Sequence, residues 1–251
     1  MLFRSAWCRL LGGLGPLAED SAERARLTLA GWDGELRRDS GPALLYGCFQ
    51  RALAAALYRP QLGDATWGWL VRGDVVAASL IRRWFASDTW ELLGGPGRGD
   101  RDPARGERVR GLLPAALAAA WKQASEAGDP PQWRWAENHQ AQAVHPLAGQ
   151  PGPAAVGMGG DGDTIQASGY GWREGAPFRV TSLSVYRQVV DLTSPETASF
   201  VIPGGASGDP EGPHFADQLA EWARHRRVPM LSRWADVEAA AGTRTVLRPR
   251  K

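Results

Sequence analysis

The strongest constraint on the fold of this chain is a change in residue pattern near position 130. Before it, apolar residues recur every three or four positions, which is typical of amphipathic helices. After it, short runs of β-branched and aromatic residues alternate with turns rich in glycine and proline, which is typical of strands. Helices followed by strands indicate the α+β class. We predict a mainly helical part over residues 1–128, then strands and C-terminal helices over residues 129–251.

The first two predicted helices have clear boundaries. One begins at Asp20, where Glu23 three residues later resembles a capping box. The other begins at Gly41 and is expected to end at Pro60, because proline lacks the N–H that a helix interior needs. The apolar stripe of this second helix consists of Leu44, Leu45, Cys48, Phe49 and Leu53.

Two further helices are predicted on either side of a loop. The stretch from Val75 to Phe85 has helical character, and the glycine-rich polar residues 94–107 are expected to form an exposed loop. The helix that follows contains Pro114, which predicts either a kink or a later start.

The composition of the chain limits the classes of molecule that it could bind. The formal net charge at pH 7 is only +2 and both signs are interspersed, so neither a nucleic acid nor a membrane surface is indicated. The apolar N-terminal stretch is interrupted by Arg9, which argues against a signal peptide, and no run of about 18 apolar residues predicts a membrane span. Two cysteines, Cys8 and Cys48, exclude a disulfide framework; they form one bridge or remain buried thiols.

Ser207, His214 and Asp217 lie close together in the chain and raise the possibility of a serine hydrolase. A nucleophile elbow reads G-x-S-x-G, however, and Asp209 stands where its last glycine should be. Members of a catalytic triad also converge from separate segments, so closeness along the chain does not support one. We interpret the stretch as a turn that leads into a helix.

No metal site or cofactor site is predicted. His139 and His145 are six residues apart, which suits neither one face of a helix nor a zinc site. The segment GMGGDGDT lacks the Lys-Ser/Thr of a P-loop, and Asp161 and Asp163 begin a calcium-loop pattern that is not completed. We expect a tight turn there.

Tryptophan is frequent in this chain, with twelve residues. Three of them, Trp135, Trp172 and Trp222, could line a pocket for an apolar acyl or aromatic group, or serve as large core or interface anchors.

Six segments, in collinear order from about residue 27 to the C-terminus, resemble one known family. They are LAGWDGELRRDSGPALLYGCFQRAL, WRWAENHQAQAVHPLAG, GMGGDGDTIQASGY, SVYRQVVDL, GGASGDPEGPHFADQLAEW and VPMLSRWADVEA. Each is similar to a motif of the penicillin amidase (penicillin acylase) family of N-terminal-nucleophile hydrolases. The resemblance implies the C-terminal portion of a four-layer αββα sandwich, contributed by the family's β chain.

The resemblance also implies a mechanism. In the family, the serine that begins the β chain is the nucleophile, and its own α-amino group is the base. Backbone N–H groups and an asparagine stabilise the oxyanion. None of the six segments resembles the part that carries this serine and this asparagine, and Asn138 lies in a different motif. We therefore expect both catalytic groups to be absent from this chain and the chain alone to be inactive.

One catalytic residue can be carried over by resemblance. In cephalosporin-type members, a carboxylate on the strand similar to SVYRQVVDL supports a histidine near the nucleophile, and Asp191 matches that position. Alternatively, Asp191 caps the turn after the strand. Asp33 in the W-D-G motif is expected to bind the backbone as a structural residue. Ser207 and His214 correspond to a structural turn and helix of the family.

The implied partner is the missing serine-bearing part of the acylase, and no cofactor is implied. The substrate would be a small linear acyl amide, such as that of a β-lactam, an acyl-homoserine lactone or a lipopeptide. Family members are usually periplasmic or extracellular. Two alternatives stay open: a non-catalytic remnant or partner-binding half of a split acylase, and a self-sufficient hydrolase that uses Ser207 with His214 or His145.

Overall fold

The computed structural model describes residues 2–72, 83–85, 87, 89, 103–145, 147, 149, 152, 155–242 and 246–249. The chain divides into two compact units, one made of Met1–Gln142 and Ala154–Leu183 and the other of Ala143–Pro153 and Ser184–Lys251. Helices and small antiparallel sheets make up these described residues, which confirms the α+β class.

Four α-helices form most of the first unit. They are α1 (Leu2–Gly12), α2 (Asp20–Ala30), α3 (Gly41–Leu70) and α4 (Pro103–Ser125). α4 packs against both α2 and α3, and α1 packs against α2. Their buried apolar side chains form one core, which includes Trp7, Leu29, Phe49 and Leu117.

The start of α3 and its apolar stripe agree with the prediction. Ser40 is the N-cap, and its Oγ accepts a hydrogen bond from the backbone N–H of Ala43 at 3.2 Å. All five residues of the predicted stripe are buried. The three-to-four-residue period therefore identified the face of α3 that packs into the core.

The predicted end of α3 at Pro60 is wrong. The helix runs to Leu70, and its regular geometry is interrupted at Gly63, where φ is 74°. That conformation favours glycine, so the break falls where a side chain is absent rather than at the proline. Trp67 and Leu70 beyond the break are buried, and their burial favours continuing the helix.

The predicted capping box of α2 is also wrong, although the helix begins at Asp20 as expected. Glu19 is the N-cap and makes no side-chain cap. The Glu23 carboxylate instead accepts the N–H of Leu17 at 3.0 Å and pairs with Arg26 at 2.7 Å. Because the Arg26 side chain is buried, it needs an acidic partner, and Glu23 supplies it.

α4 begins earlier than predicted, at Pro103, so that residues 103–107 are helical rather than part of the loop. A proline in the first turn loses no intrahelical hydrogen bond. The helix continues through Pro114 to Ser125, which rules out a later start. Residues 94–102 of the predicted loop and residues 75–82 of the predicted helix lie outside the described residues, whereas residues 83–85 are helical.

The first unit also contains two small antiparallel sheets. A 3₁₀ turn (Pro130–Gln132) and α5 (Trp135–Asn138) precede them. The paired strands are β1 (Gln140–Ala141) with β2 (Val156–Gly157), and β3 (Ser168–Tyr170) with β4 (Val180–Leu183). The two-residue strands β1 and β2 were not predicted, because they are too short to show an alternating pattern.

The second unit is built around a three-stranded antiparallel sheet. Its strands are β5 (Arg187–Val189), β6 (Ser199–Val201) and β7 (Val228–Pro229), with β6 in the centre. A 3₁₀ turn (Pro195–Thr197) joins β5 to β6. Helices α6 (Leu219–Ala223) and α7 (Trp234–Ala240) follow where helices were predicted, though α6 is only five residues long.

None of the described sheets is wider than three strands, so none is by itself a complete layer of an αββα sandwich. In the described part of the chain, no helix is both long and apolar enough to cross a membrane.

Candidate functional site

Residues of the W-R-W-A-E-N-H motif form an aromatic cluster in the first unit. Trp135 is fully buried, and its Nε1 donates to the carbonyl of Gly160 at 2.9 Å. Its ring stacks on the His139 ring with a centroid distance of 4.6 Å and an interplanar angle of 19°. The rings of Tyr170 and Phe178 contact it from other sides. Trp135 is therefore a core anchor and does not line an open acyl pocket.

His139 is hydrogen-bonded through both ring nitrogens. Nδ1 lies 2.8 Å from the carbonyl oxygen of Phe178, and Nε2 lies 2.9 Å from Oγ of Ser168. Burial lowers the pKa of His139 to about 4, so the ring is neutral at pH 7. A carbonyl only accepts hydrogen bonds, so Nδ1 carries the proton and Nε2 accepts from the serine. This Ser-His pair is fully buried and cannot meet a substrate.

His139 should make the stability of the chain depend on pH. With a pKa near 6.5 when unfolded and about 4 when folded, the ring takes up a proton first in the unfolded state. The free energy of unfolding should therefore fall by up to about 3 kcal/mol as the pH drops from 6.5 through 4. His139→Gln should be less stable at pH 7 but should lose this part of the slope, as measured by urea unfolding at a series of pH values. An unchanged slope in His139→Gln would show that other groups cause the dependence.

The glycine-rich segment around Asp161 is a tight turn, as expected. Oδ1 of Asp161 accepts the N–H of Asp163 at 2.9 Å, and Oδ2 pairs with Nη1 of Arg4 at 3.1 Å. Gly160 has a φ of 78°, and its N–H donates to the carbonyl of Leu36 at 2.8 Å. The Asp161 carboxylate thus links the turn to α1 through its ion pair with Arg4. Within the described residues, no group of three or more His, Cys, Asp or Glu side chains could hold a metal ion.

Asp33 in the W-D-G motif binds the backbone, which confirms its predicted structural role. Its Oδ1 accepts the N–H of Glu35 at 2.9 Å, and its Oδ2 pairs with Arg37 at 2.7 Å. The hydrogen bond from Glu35 is the main cause that lowers the pKa of Asp33, with Arg37 contributing. A cavity of about 350 Å³ beside this turn is lined by residues 31–33, 37 and 39–42. Arg37 also binds Glu35 at 2.7 Å, so its charge is satisfied within the chain.

Ser207, His214 and Asp217 lie in the second unit and form a turn rather than a triad. Nδ1 of His214 pairs with Oδ2 of Asp217 at 2.8 Å, but Ser207 contacts His214 through the backbone, its N–H donating to the carbonyl at 2.9 Å. The Ser207 Oγ accepts the N–H of Asp209 at 3.0 Å. Among the described residues, no hydrogen bond joins this Oγ to the imidazole. The interpretation as a turn before a helix agrees with this geometry.

Asp191 follows β5 and is exposed. Its Oδ1 accepts both the N–H of Thr193 at 2.9 Å and the Thr193 hydroxyl at 2.7 Å. These hydrogen bonds, the hydroxyl first, lower the pKa of Asp191. Oδ2 has no hydrogen-bond partner within the described part of the chain, and no histidine is paired with it there. Asp191 caps a turn and keeps one carboxylate oxygen available.

Besides the Asp161–Arg4 ion pair, two further interactions were missed by sequence reasoning. One is the Ser168–His139 pair, which joins residues 29 positions apart. The other is Arg187 on β5: its guanidinium lies 4.6 Å from the centroid of the Trp222 ring, and its Nη2 donates to the Trp222 carbonyl. Burial lowers the pKa of Arg187, with Arg227 as a lesser cause. Strand alternation indicates which face Arg187 occupies, but no sequence signal identifies Trp222 as its partner.

Both cysteines are free thiols, which excludes the Cys8–Cys48 disulfide bridge that was one of the two predicted alternatives. Burial raises the pKa of Cys48 to about 12 and also raises that of Cys8. Neither thiol is activated as a nucleophile, because a thiol with a raised pKa stays protonated at pH 7.

The chain resembles known proteins over nearly its whole length. It matches the sequence model of the penicillin amidase family over residues 3–239. The penicillin acylase 2 proenzyme of Pseudomonas sp. strain SE83 is 32% identical over 247 residues, which cover 95% of this chain and 30% of that protein. The acyl-homoserine lactone acylase QuiP of Pseudomonas syringae pv. tomato is 28% identical over 250 residues, covering 92% of this chain and 29% of that protein.

A solved structure, the thermostable penicillin G acylase from Alcaligenes faecalis, aligns with 100% of this chain and 46% of that chain. The TM-score of this alignment is 0.47 and the sequence identity is 18%.

The chain spans about 30% of the length of the curated relatives it matches. Within that span the family match covers nearly all of this chain, from residue 3 to residue 239. It includes all six segments whose resemblance was noted, and the buried Trp135 cluster and the Asp161 turn both lie inside it. The chain belongs to the penicillin amidase family.

Proposed function

We propose that this chain is the C-terminal part of an acylase that hydrolyses linear amides, moving an acyl group from an amine to water. One observation carries the proposal. The motif residues Trp135 and His139 are buried and hydrogen-bonded to Gly160 and Ser168, and the buried Asp161 pairs with Arg4, so all three act as scaffold and not as reacting groups. Such a scaffold fits a part of an enzyme whose reacting groups lie in another part.

The proposed reaction proceeds through a covalent acyl-enzyme on the other part of the acylase. The hydroxyl of an N-terminal serine attacks the amide carbonyl carbon, and its proton passes to the serine's own α-amino group. Hydrogen-bond donors stabilise the tetrahedral oxyanion. The C–N bond then breaks, the amine leaves with that proton, and water releases the acid from the acyl ester. This chain would hold the serine-bearing part in its active geometry.

In the described residues, two serines lie near histidines, but neither pair is arranged for catalysis. This supports the proposal that the reacting groups lie in the other part of the acylase. Ser168 and His139 are fully buried, so no substrate reaches them. Ser207 makes no hydrogen bond to the His214 ring within the described part of the chain.

The test is co-expression. The chain is combined with the portion of the Pseudomonas sp. SE83 penicillin acylase 2 proenzyme that it does not match, and p-nitroaniline release is measured from a phenylacetyl and a medium-chain acyl anilide. We expect activity from the pair and none from either part alone. A stable pair without activity would overturn the proposal and favour a non-catalytic remnant. Activity of the lone chain that is lost in Ser207→Ala would favour the self-sufficient hydrolase.

Within this proposal, Asp191 supports a histidine of the serine-bearing part through its Oδ2. Asp191→Asn keeps an oxygen that can accept from Thr193 but removes the negative charge. We expect kcat of the active pair to fall roughly ten- to a hundredfold, since an oriented imidazolium loses its counter-charge. The limb of the pH profile of kcat that reports this histidine should shift to lower pH, because an imidazole that has lost its neighbouring carboxylate has a lower pKa.

The matched control for Asp191 is Thr193→Val. This change removes the hydroxyl hydrogen bond to Oδ1 and leaves the backbone one, so it weakens the turn without altering the charge of Asp191. We expect kcat within about twofold of the unchanged pair. If Thr193→Val lowers kcat as much as Asp191→Asn does, Asp191 serves only as a turn cap.

We also propose that the assembled acylase acts outside the cytoplasm on an acyl amide of a β-lactam nucleus or of homoserine lactone. The names of the two relatives support these two amine classes. Competition between the two amides for the active pair, measured as the ratio of their kcat/KM values, would decide which class is preferred.

A further inference from the structure

Arg187 on β5 is held in place by the chain but lacks a counter-charge. Its Nη2 donates to the carbonyl of Trp222, and its Nη1 lies 3.3 Å from Nδ1 of His225. Because arginine only donates hydrogen bonds, Nδ1 is the acceptor and brings no negative charge. The Nε atom of Arg187 is buried and has no hydrogen-bond partner within the described residues. The guanidinium group is therefore fixed over Trp222, with no carboxylate beside it in the described part of the chain.

Arg227 is a second arginine without a carboxylate partner among the described residues. It is exposed just before β7, and its Nε donates to Oγ of Ser199 at 3.2 Å. This hydrogen bond orients the side chain along the sheet and leaves its terminal nitrogens without an acceptor in the described part of the chain. The acidic residue of the same segment, Glu221, pairs instead with Arg224 at 3.8 Å and with Arg226 at 3.6 Å.

The two arginines lie on the same face of the three-stranded sheet. Arg187 is directly opposite Val201 on β6. On the other side of β6, Phe200 is opposite Val228 of β7. Continuing this register by one residue places Arg227 opposite Val201. Residues directly opposite one another in antiparallel strands project from the same face, so Arg187 and Arg227 flank the fully buried Val201.

The two positive charges act on each other without a described counter-charge between them. Burial lowers the pKa of Arg187, and the charge of Arg227 lowers it further. Arg4 and Arg26, whose side chains are buried, each pair with a carboxylate instead. Two oriented guanidinium groups without a carboxylate are the kind of donor set that binds a phosphate group.

We propose that Arg187 and Arg227 form a binding site for a phosphate dianion, either free or as a small phosphate monoester. Each guanidinium group presents N–H donors in a fork that suits phosphate oxygens. A dianion matches two positive charges, whereas a carboxylate neutralises one. Because the chain already orients both side chains, little conformational entropy is lost on binding. The site lies in the second unit and goes beyond the proposed acylase reaction, which uses no anion bound here.

The test is a titration of the full chain with inorganic phosphate at about pH 8, where phosphate is mainly a dianion, and at an ionic strength of about 0.15 M. Carbon-detected NMR of the arginine Nε and Cζ atoms reports each guanidinium group and does not depend on exchangeable protons. We expect the signals of Arg187 and Arg227 to shift together and to saturate at the same phosphate concentration. If neither signal shifts, the proposal is overturned.

Arg227→Gln removes one of the two charges from an exposed position. We expect it to weaken phosphate binding about tenfold, since charge-assisted hydrogen bonds to the anion are lost. The matched control is Arg233→Gln, which changes the net charge equally in the same unit but falls on an arginine that already pairs with Asp236 at 2.7 Å. We expect this control to bind within about twofold of the unchanged chain. Equal weakening by the two variants overturns the proposal in favour of general attraction to a positively charged chain.

Acetate and phenyl phosphate, titrated in the same way, test the class of ligand. We expect acetate to bind at least about tenfold more weakly than phosphate, because it carries a single negative charge. Equally tight binding of acetate overturns the proposal in favour of a carboxylate site. Binding of either phosphate compound upholds it, and the tighter of the two shows whether the free or the esterified group is preferred.

The same titration on the pair formed with the unmatched portion of the SE83 proenzyme separates a ligand site from an ion pair within the assembled acylase. We expect phosphate binding to persist in the pair. Its loss in a stable pair overturns the proposal and indicates that a carboxylate of the other part supplies the counter-charge. Amide hydrolysis by the pair is a separate readout, so failure of the phosphate site and failure of the proposed function are distinguishable.

Discussion

Trp135→Ala is expected to lower the free energy of unfolding of the first unit by about 3–5 kcal/mol. The side chain is fully buried, and the alanine would leave a cavity bordered by the rings of His139, Tyr170 and Phe178. The hydrogen bond from Nε1 to the carbonyl of Gly160 would also be lost, leaving that carbonyl without this donor. A loss of this size is a large share of the stability of a typical domain, so partial unfolding at 25 °C is expected.

The measurement is urea unfolding followed by far-ultraviolet circular dichroism, which reports mainly the helices of the first unit. The matched control is Trp69→Ala in the same unit, because Trp69 is 53% exposed near the end of α3. We expect Trp69→Ala to cost less than about 1 kcal/mol. Similar losses for the two variants would mean that Trp135 is not the centre of a packed core.

Asp161→Asn is expected to destabilise the first unit by about 3 kcal/mol. Its ion pair with Arg4 is almost fully buried, and removing one partner leaves a buried charge uncompensated. Within the described part of the chain, Arg4 would keep its hydrogen bond from Nε to the carbonyl of Gly34, at 2.9 Å. The asparagine can still accept the N–H of Asp163, so the loss measures the charge more than the turn.

Asp163→Asn is the control for this change, because the same substitution falls two residues away on an exposed side chain. We expect it to alter the free energy of unfolding by less than about 0.5 kcal/mol. A different result would be that both substitutions lower the free energy of unfolding equally and that added Ca²⁺ stabilises the unchanged chain. That result would indicate that the two carboxylates share a calcium ion.

Helices could be located from the sequence more reliably than strands. The stripe of α3 was correct in all five positions, because a long helix repeats its signal over many turns. The strands contain only two to four residues, so the alternation of buried and exposed residues repeats at most twice in each and gives little signal. The stretch from Phe178 to Leu192 contains two strands, β4 and β5, which belong to different units. Local pattern does not show where a run passes from one unit to the other.

The candidate site was predictable only in part. Resemblance assigned the chain to its family and marked Asp161, His139 and Asp191 as members of motifs. It did not show that His139 pairs with Ser168, or that the Asp161 carboxylate binds Arg4. Asp191 as a supporting carboxylate stays a prediction.

The sequence by itself determined the α+β class, the family, the core-facing stripe of α3 and the turn at Asp33, since each depends on residues close together in the chain. Only the tertiary structure decided which charges are satisfied. Arg4 and Asp161 are 157 positions apart, and Arg187 and Trp222 are 35 apart. Such partners are chosen by the burial of whole elements, because a desolvated charge must find a counter-charge or a polar group wherever the packed chain brings one within reach.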